Sequence, residues 1–233
     1  MASYLTPTEL WRLARPGSIP LSSWAPGTVS AVAKTGTGSG TMTAAGYPLD
    51  AYAVRVRVVT GGEPGTAQVA VSLDGGVTYP SQSYTVPVAD GLGLPLVVAG
   101  EVALTFTPGA APSYNVGDLF AFGTTASPEI LAQIDAASDE ADGYLKNVFA
   151  LPLQSWGVDL RRYVGLLARA NLTANRGWTE AEAFVNARAE AEKWFMAVAL
   201  GDLQPPITEA AGGAVVFPEF VKTRGRWRTD WRI

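Results

Sequence analysis

Ser127 to Leu153, SPEILAQIDAASDEADGYLKNVFALPL, constrains this chain more than any other stretch. Ile130, Ile134, Ala137, Ala141, Tyr144, Leu145 and Val148 recur at three- and four-residue spacing, which sets them along one face of a helix. So apolar a face has to be buried, and the rest of the chain must supply its cover. Ser127 stands where it can cap the first turn, Pro128 where a missing N–H costs nothing, and Glu129 at the positive end of the helix dipole. Leu151-Pro152-Leu153 imposes an extended backbone before the proline, so the helix is expected to run out near Asn147.

Two further helices are expected downstream. Val158 to Ala174 carries Leu160, Tyr163, Val164, Leu167, Ala168 and Leu172 on one side, with Arg161, Arg162 and Arg169 toward the others. Asn175-Arg176-Gly177 breaks it, and Thr179-Glu180-Ala181-Glu182 reads as a capping box for the next. That helix turns Phe184, Ala187, Ala191, Trp194, Phe195 and Val198 inward and stops at Gly201, while Arg188, Glu190, Glu192 and Lys193 read as a solvated face. Near the start, Thr6-Pro7-Thr8-Glu9 is another capping box, opening a short helix through Leu10, Trp11 and Leu13 that Pro16-Gly17 ends. A helix this short is not stable alone and is expected to dock on the later ones. Gly17 to Pro26 reads as a linker anchored by Ile19, Leu21 and Trp24.

Between these pieces the period of the pattern changes. Tyr52 to Val58, Gln68 to Leu73 and Val102 to Phe106 alternate apolar with polar residues, as strands do. Val29 to Val32, Thr41 to Ala44, Ser83 to Val88 and Leu119 to Phe122 are weaker strand candidates. Gly61-Gly62, Asp74-Gly75-Gly76, Asp90-Gly91 and Pro108-Gly109 supply turns at spacings suited to an antiparallel sandwich over Gly27 to Phe122. Ser72 to Tyr79, SLDGGVTY, looks like an Asp-box hairpin, in which Asp74 accepts turn amides and the glycines take positive φ. Such a loop stabilises a turn and is not itself catalytic. A glycosidase built on it would need several blades and a carboxylate pair, and no such repeat is present.

Composition narrows the chemistry. The 233 residues suffice for one large or two ordinary domains, and the net charge of -4 points to neither a general nucleic-acid binder nor a membrane-surface protein. No cysteine is present, which excludes disulfides and thiolate metal sites, and no histidine, which removes the usual general base and the commonest metal ligand. No apolar run has the length of a membrane span and the first residues lack the pattern of a signal peptide, so folding in a cytoplasm is expected.

Two charged features remain. Asp135, Asp139, Glu140 and Asp142 could hold a metal or line a channel for DNA, but a solvated helix face explains them more cheaply. Beyond Pro205-Pro206 the chain reads as small and flexible from Ile207 to Ala214 and as a strand candidate from Val215 to Val221. From Lys222 onward five basic residues stand against the single Asp230, interleaved with Trp227 and Trp231. Arginine alternating with tryptophan can grip phosphates and stack on bases, and a solvated end is the bland alternative. The favoured reading is a peptide that docks on a protein partner through Phe217, Phe220, Lys222, Arg224, Arg226, Trp227, Arg228, Trp231 and Arg232.

The helix with Asp142-Gly143-Tyr144-Leu145, then Phe149-Ala150-Leu151-Pro152-Leu153, then a second helix resembles the head-to-tail adaptor (connector or head-completion) proteins of tailed phages, nearest the Mu-like group. Tyr4-Leu5-Thr6-Pro7 with Glu9-Leu10 resembles the family's amino-terminal signature, here separated from the helix by the long glycine-rich segment. The resemblance implies a small adaptor-like helical bundle, and with the strand pattern over Gly27 to Phe122 the expected fold is α+β: that bundle interrupted by an antiparallel β-sandwich insertion, with an extended C-terminal tail. The expected division is residues 1–25 and 127–206 for the helical part, 26–126 for the sandwich and 207–233 for the tail. It further implies a structural virion protein of the neck rather than an enzyme, with no cofactor and no membrane. Its partners would be the portal protein, other copies of itself in a ring that is usually a dodecamer, and a downstream tail or stopper protein, with genomic DNA passing nearby. The alternative is a virion surface or carbohydrate-binding module carried by the sandwich.

Overall fold

The structure, a computed structural model, describes residues 3–13, 24–88, 95–175 and 182–209, and of residues 175, 182–185, 187 and 209 the backbone alone. Among the described residues it is a mixed α/β protein with four helices and antiparallel sheets. The strands up to Gly123 gather around one apolar cluster, and the helices with two short later strands around another.

Five strands, β1 (Ala33–Thr35), β3 (Ala53–Thr60), β4 (Gln68–Ser72), β5 (Tyr84–Thr85) and β8 (Leu119–Gly123), form a sheet in the order β1-β8-β3-β4-β5. A second sheet has the order β2-β7-β6, from β2 (Thr41–Pro48), β6 (Leu96–Val98) and β7 (Gly100–Thr107). The alternation in β3 resolves as its period requires: Val54, Val56 and Val58 are buried, while Arg55 and Arg57 face out. Val102, Leu104 and Phe106 of β7 and Phe120 and Phe122 of β8 enter the same cluster, so the two sheets share a core. Phe106, Phe120 and Tyr114 meet edge to face across it, with centroids 5.9–6.4 Å apart. The Tyr114 hydroxyl donates to the Thr107 carbonyl at 3.0 Å, and burial together with the Glu63 charge pushes its pKa up to about 12.

The turns are held by carboxylates. Asp118 is buried and accepts N–H groups from Thr37, Gly38 and Asn115 at 2.9–3.1 Å. Burial alone would raise this carboxyl, but those amides and the nearby Lys34 charge outweigh it and hold it below its ordinary value. In the Asp-box loop, Asp74 accepts the Thr78 N–H at 3.0 Å and the Ser72 and Thr78 hydroxyls, which also keeps it ionised well below the usual range. Gly75 and Gly76 take φ of 77° and 90°, as the hairpin reading expects.

Helix α2 (Pro128–Leu145) starts as read: Ser127 caps it by accepting the Ile130 N–H. It stops two residues before Asn147, where a turn through Phe149 takes over, so its end is set locally and not by the distant proline. Ile130, Ile134, Ala137, Ala141 and Leu145 are buried, and Tyr144 packs at the edge. Helix α3 (Val158–Asn175) and helix α4 (Glu182–Ala199) bury Leu160, Val164, Leu167, Ala168 and Leu172, and Ala191, Trp194, Phe195 and Val198, respectively. Gly201, at φ 75°, closes α4. The predicted capping box at Thr179, and Phe184 and Ala187 as inward side chains, fall outside the described residues.

The departure and return of the strand-forming segment lie side by side. Thr125 N–H donates to the Thr28 carbonyl and Thr28 N–H to the Thr125 hydroxyl, both at 2.9 Å. A Cβ on Gly27 would stand 1.9 Å from the Thr125 carbonyl oxygen, so only glycine permits this approach.

Several expectations need correction. Val29 to Val32 is not a strand: Val29 and Ser30 pair with Thr124 and Gly123 at this crossing, and the regular strand begins at Ala33. Of Ser83 to Val88 only Tyr84–Thr85 joins the sheet. Three strands were not foreseen: β6, and the pair β9 (Leu153–Trp156) and β10 (Ile207–Glu209), the last in a stretch read as flexible. Each is too short for its period to register. The Asp90-Gly91 turn, Ile19, Leu21 and the strand candidate Val215 to Val221 lie outside the described residues.

A group whose folded pKa is depressed contributes stability above its unfolded value, about 4 for aspartate, and loses that contribution as pH falls through the folded value. Asp118→Asn should therefore lower the unfolding free energy at neutral pH, and the gap from the unmodified chain should narrow as urea melts are moved toward pH 2.

Candidate docking surface

Helix α1 (Pro7–Leu13) carries the predicted capping box: Thr6 N–H donates to Glu9 Oε2 at 3.1 Å, and Glu9 N–H to Thr6 Oγ1 at 3.2 Å. Seven residues cannot hold a helix alone, and the expected docking is observed. Leu10 is fully buried against the later helices, and Glu9 pairs with Arg161 of α3 at 2.7 Å.

Tyr4 ties this segment to two other elements, α2 and β9 (Leu153–Trp156), through three residues. Its ring meets Trp156 of β9 edge to face at 5.0 Å, and Trp156 Nε1–H donates to its carbonyl at 2.9 Å. Its N–H donates to Ser138 Oγ on α2 at 3.3 Å, and its hydroxyl donates to the Asp142 carboxylate. Burial, then the Asp142 bond and charge, raise the phenol pKa well above its ordinary value, so it remains a donor at any physiological pH. The Tyr4-Leu5-Thr6-Pro7 and Asp142-Gly143 pieces, far apart in sequence, are thus one contact in space.

Beside this contact lies an open groove of about 490 Å³. Tyr4, Leu151 and Pro152 give it apolar walls, and Asp139, Asp142, Gly143 and Lys146 line it from α2. Those four positions are spaced three, four and seven apart, one stripe of the helix. Gly143 is exposed, and a Cβ built there would touch nothing within 4 Å.

The four clustered acids do not act as a unit. Asp135 and Asp139 are exposed, Asp142 is engaged by Tyr4, and Glu140 pairs with Arg188 of α4 at 3.1 Å. Among the described residues no group of three or more candidate ligands is placed to hold a metal ion. Arg188 corrects the reading of α4's polar side. Its guanidinium also donates to Asn171 of α3 at 2.9 Å and to Glu192 at 2.8 Å, joining three helices. Glu192, four residues on, was legible; Glu140 and Asn171, 48 and 17 residues away, carried no signal. Glu190 pairs instead with Arg162, at 3.6 Å. Arg169, assigned to an outer side, is half-buried, and desolvation lowers its pKa.

Phe217, Phe220, Lys222, Arg224, Arg226, Trp227, Arg228, Trp231 and Arg232, the predicted docking residues, all lie outside the described residues. No described helix is long and apolar enough to cross a membrane.

These features define a mixed α/β protein whose helical core is closed by its own amino terminus and flanked by an open groove. Residues 115–215, somewhat under half of the chain, match the family model described as Bacteriophage Mu, Gp36, which supports a Mu-like phage protein. No curated protein and no solved structure matches the chain significantly.

Arg188→Ala should lower stability by about 1–2 kcal/mol, less than a buried ion pair because the side chain is partly solvated. Tyr4→Ala should cost about 3–5 kcal/mol, the range for losing a buried aromatic ring. Denaturant melts of the purified variants check both.

Proposed function

We propose that this chain is a structural protein of a tailed phage or phage-like particle, a head-to-tail adaptor that forms a ring under the portal and connects the DNA-filled capsid to the tail. The match of residues 115–215 to the Mu Gp36 family carries the phage assignment. The closure of α1 and Tyr4 over α2, α3 and β9 supports the adaptor reading, because it unites the two resemblance motifs in one helical core. In this reading the helices are a small bundle and residues 26–126 an inserted β-sandwich, accommodated because its two ends cross at Thr28 and Thr125. The task is assembly rather than catalysis, and the location is the neck of the virion. The helical part associates with its neighbours, the ring being a dodecamer on the family pattern. The Lys222–Ile233 segment engages the portal with its arginines and tryptophans, and the opposite side receives a tail or stopper protein.

Deleting Lys222 to Ile233 should leave a chain with unchanged far-ultraviolet circular dichroism that no longer co-sediments with portal from the same particle. Undiminished co-sedimentation overturns the assignment of that segment.

A further inference from the structure

We infer that the groove between Tyr4, α2 and Leu151-Pro152 is the seat, in the free subunit, of the arginine- and tryptophan-bearing segment Lys222–Ile233 of the same chain. Three observations carry this. The first is position. β10 runs antiparallel to β9 with Glu209 opposite Leu153, so the described chain ends beside the residue that follows Leu151 and Pro152 in the groove wall. Residues 210–221 then span up to roughly 40 Å when extended, ample for a site next to their origin. The second is charge. Asp139 and Asp142 line the groove and exposed Asp135 lies one turn before Asp139, against the single Lys146. The segment brings Lys222, Arg224, Arg226, Arg228 and Arg232 against Asp230.

The third is shape and apolar character. Trp227 and Trp231 need apolar walls, and Leu151 and Pro152 offer them over a floor where Gly143 contributes no side chain. A groove of about 490 Å³ has room for both indoles. Tethering favours the chain's own segment over a neighbour's, because a short connection gives an effective concentration on the order of millimolar. A portal that takes up the segment would then compete with the groove for it. The inference stands apart from the adaptor reading, since it concerns the chain before any partner is present.

The absence of cysteine makes the test direct. In the full chain, Gly143→Cys combined with Thr229→Cys should form an intramolecular disulfide under mild oxidation, seen as a mobility shift without reductant. Its rate should exceed that of a Met196→Cys and Thr229→Cys pair, whose first position is exposed on α4, by at least about tenfold, the gain expected of a site that holds the segment. Adding Asp139→Lys or raising salt to about 0.5 M should slow it severalfold, since both weaken the ionic attraction. Lys146→Cys in place of Gly143→Cys should give the same result and guards against a defect in one variant. Equal rates for groove and control pairs overturn the inference. So does cross-linking found only between chains when the two single-cysteine variants are mixed.

Discussion

The helical core depends on a contact between residues that the chain separates by more than half its length. Tyr4, Leu5 and Leu10 are buried among Ile134, Leu145, Leu160 and Leu167, and without them α2 and α3 would expose the apolar stripe that defines them. The polar bonds of Tyr4 then fix the register. Its N–H, carbonyl and hydroxyl each meet a different partner, on α2 or β9, so a slipped docking would leave buried groups unpaired. Apolar burial supplies the drive and these bonds supply the uniqueness.

The same logic organises the strands. Val54, Val56 and Val58 commit one face of β3 to the interior, which sends Arg55 and Arg57 outward, and Phe106, Tyr114 and Phe120 close the space between the sheets. Asp118 and Asp74 spend their hydrogen-bonding capacity on turn amides. Carboxylates so engaged stabilise loops, which accounts for an Asp-box that serves its own hairpin.

The legible parts of this fold were those with repeated local signals. α2, α3 and the inward side of α4 followed from spacing, β3, β4 and β7 from alternation, and the α1 cap from four residues. Elements defined by a partner were hidden. β9 and β10 are strands only because they find each other across some fifty residues, and Arg188 links three helices through groups that sequence spacing does not relate. The groove was likewise invisible, although Asp139, Asp142 and Tyr4 had each drawn notice, because it exists only once the amino terminus has folded back.

The span between Tyr4 and Asp142, 138 residues, also orders events on the ribosome. At roughly 5–20 residues per second, about 7 to 28 seconds pass between the synthesis of the first partner and of the second. During that interval the strand segment can be completed, while Tyr4, Leu5 and Leu10 have only Trp24 and Leu49 of their cluster to pack against. The Tyr4–Leu10 segment is thus among the last parts to settle, and a nascent chain halted before α3 would carry it as an exposed hydrophobic stretch.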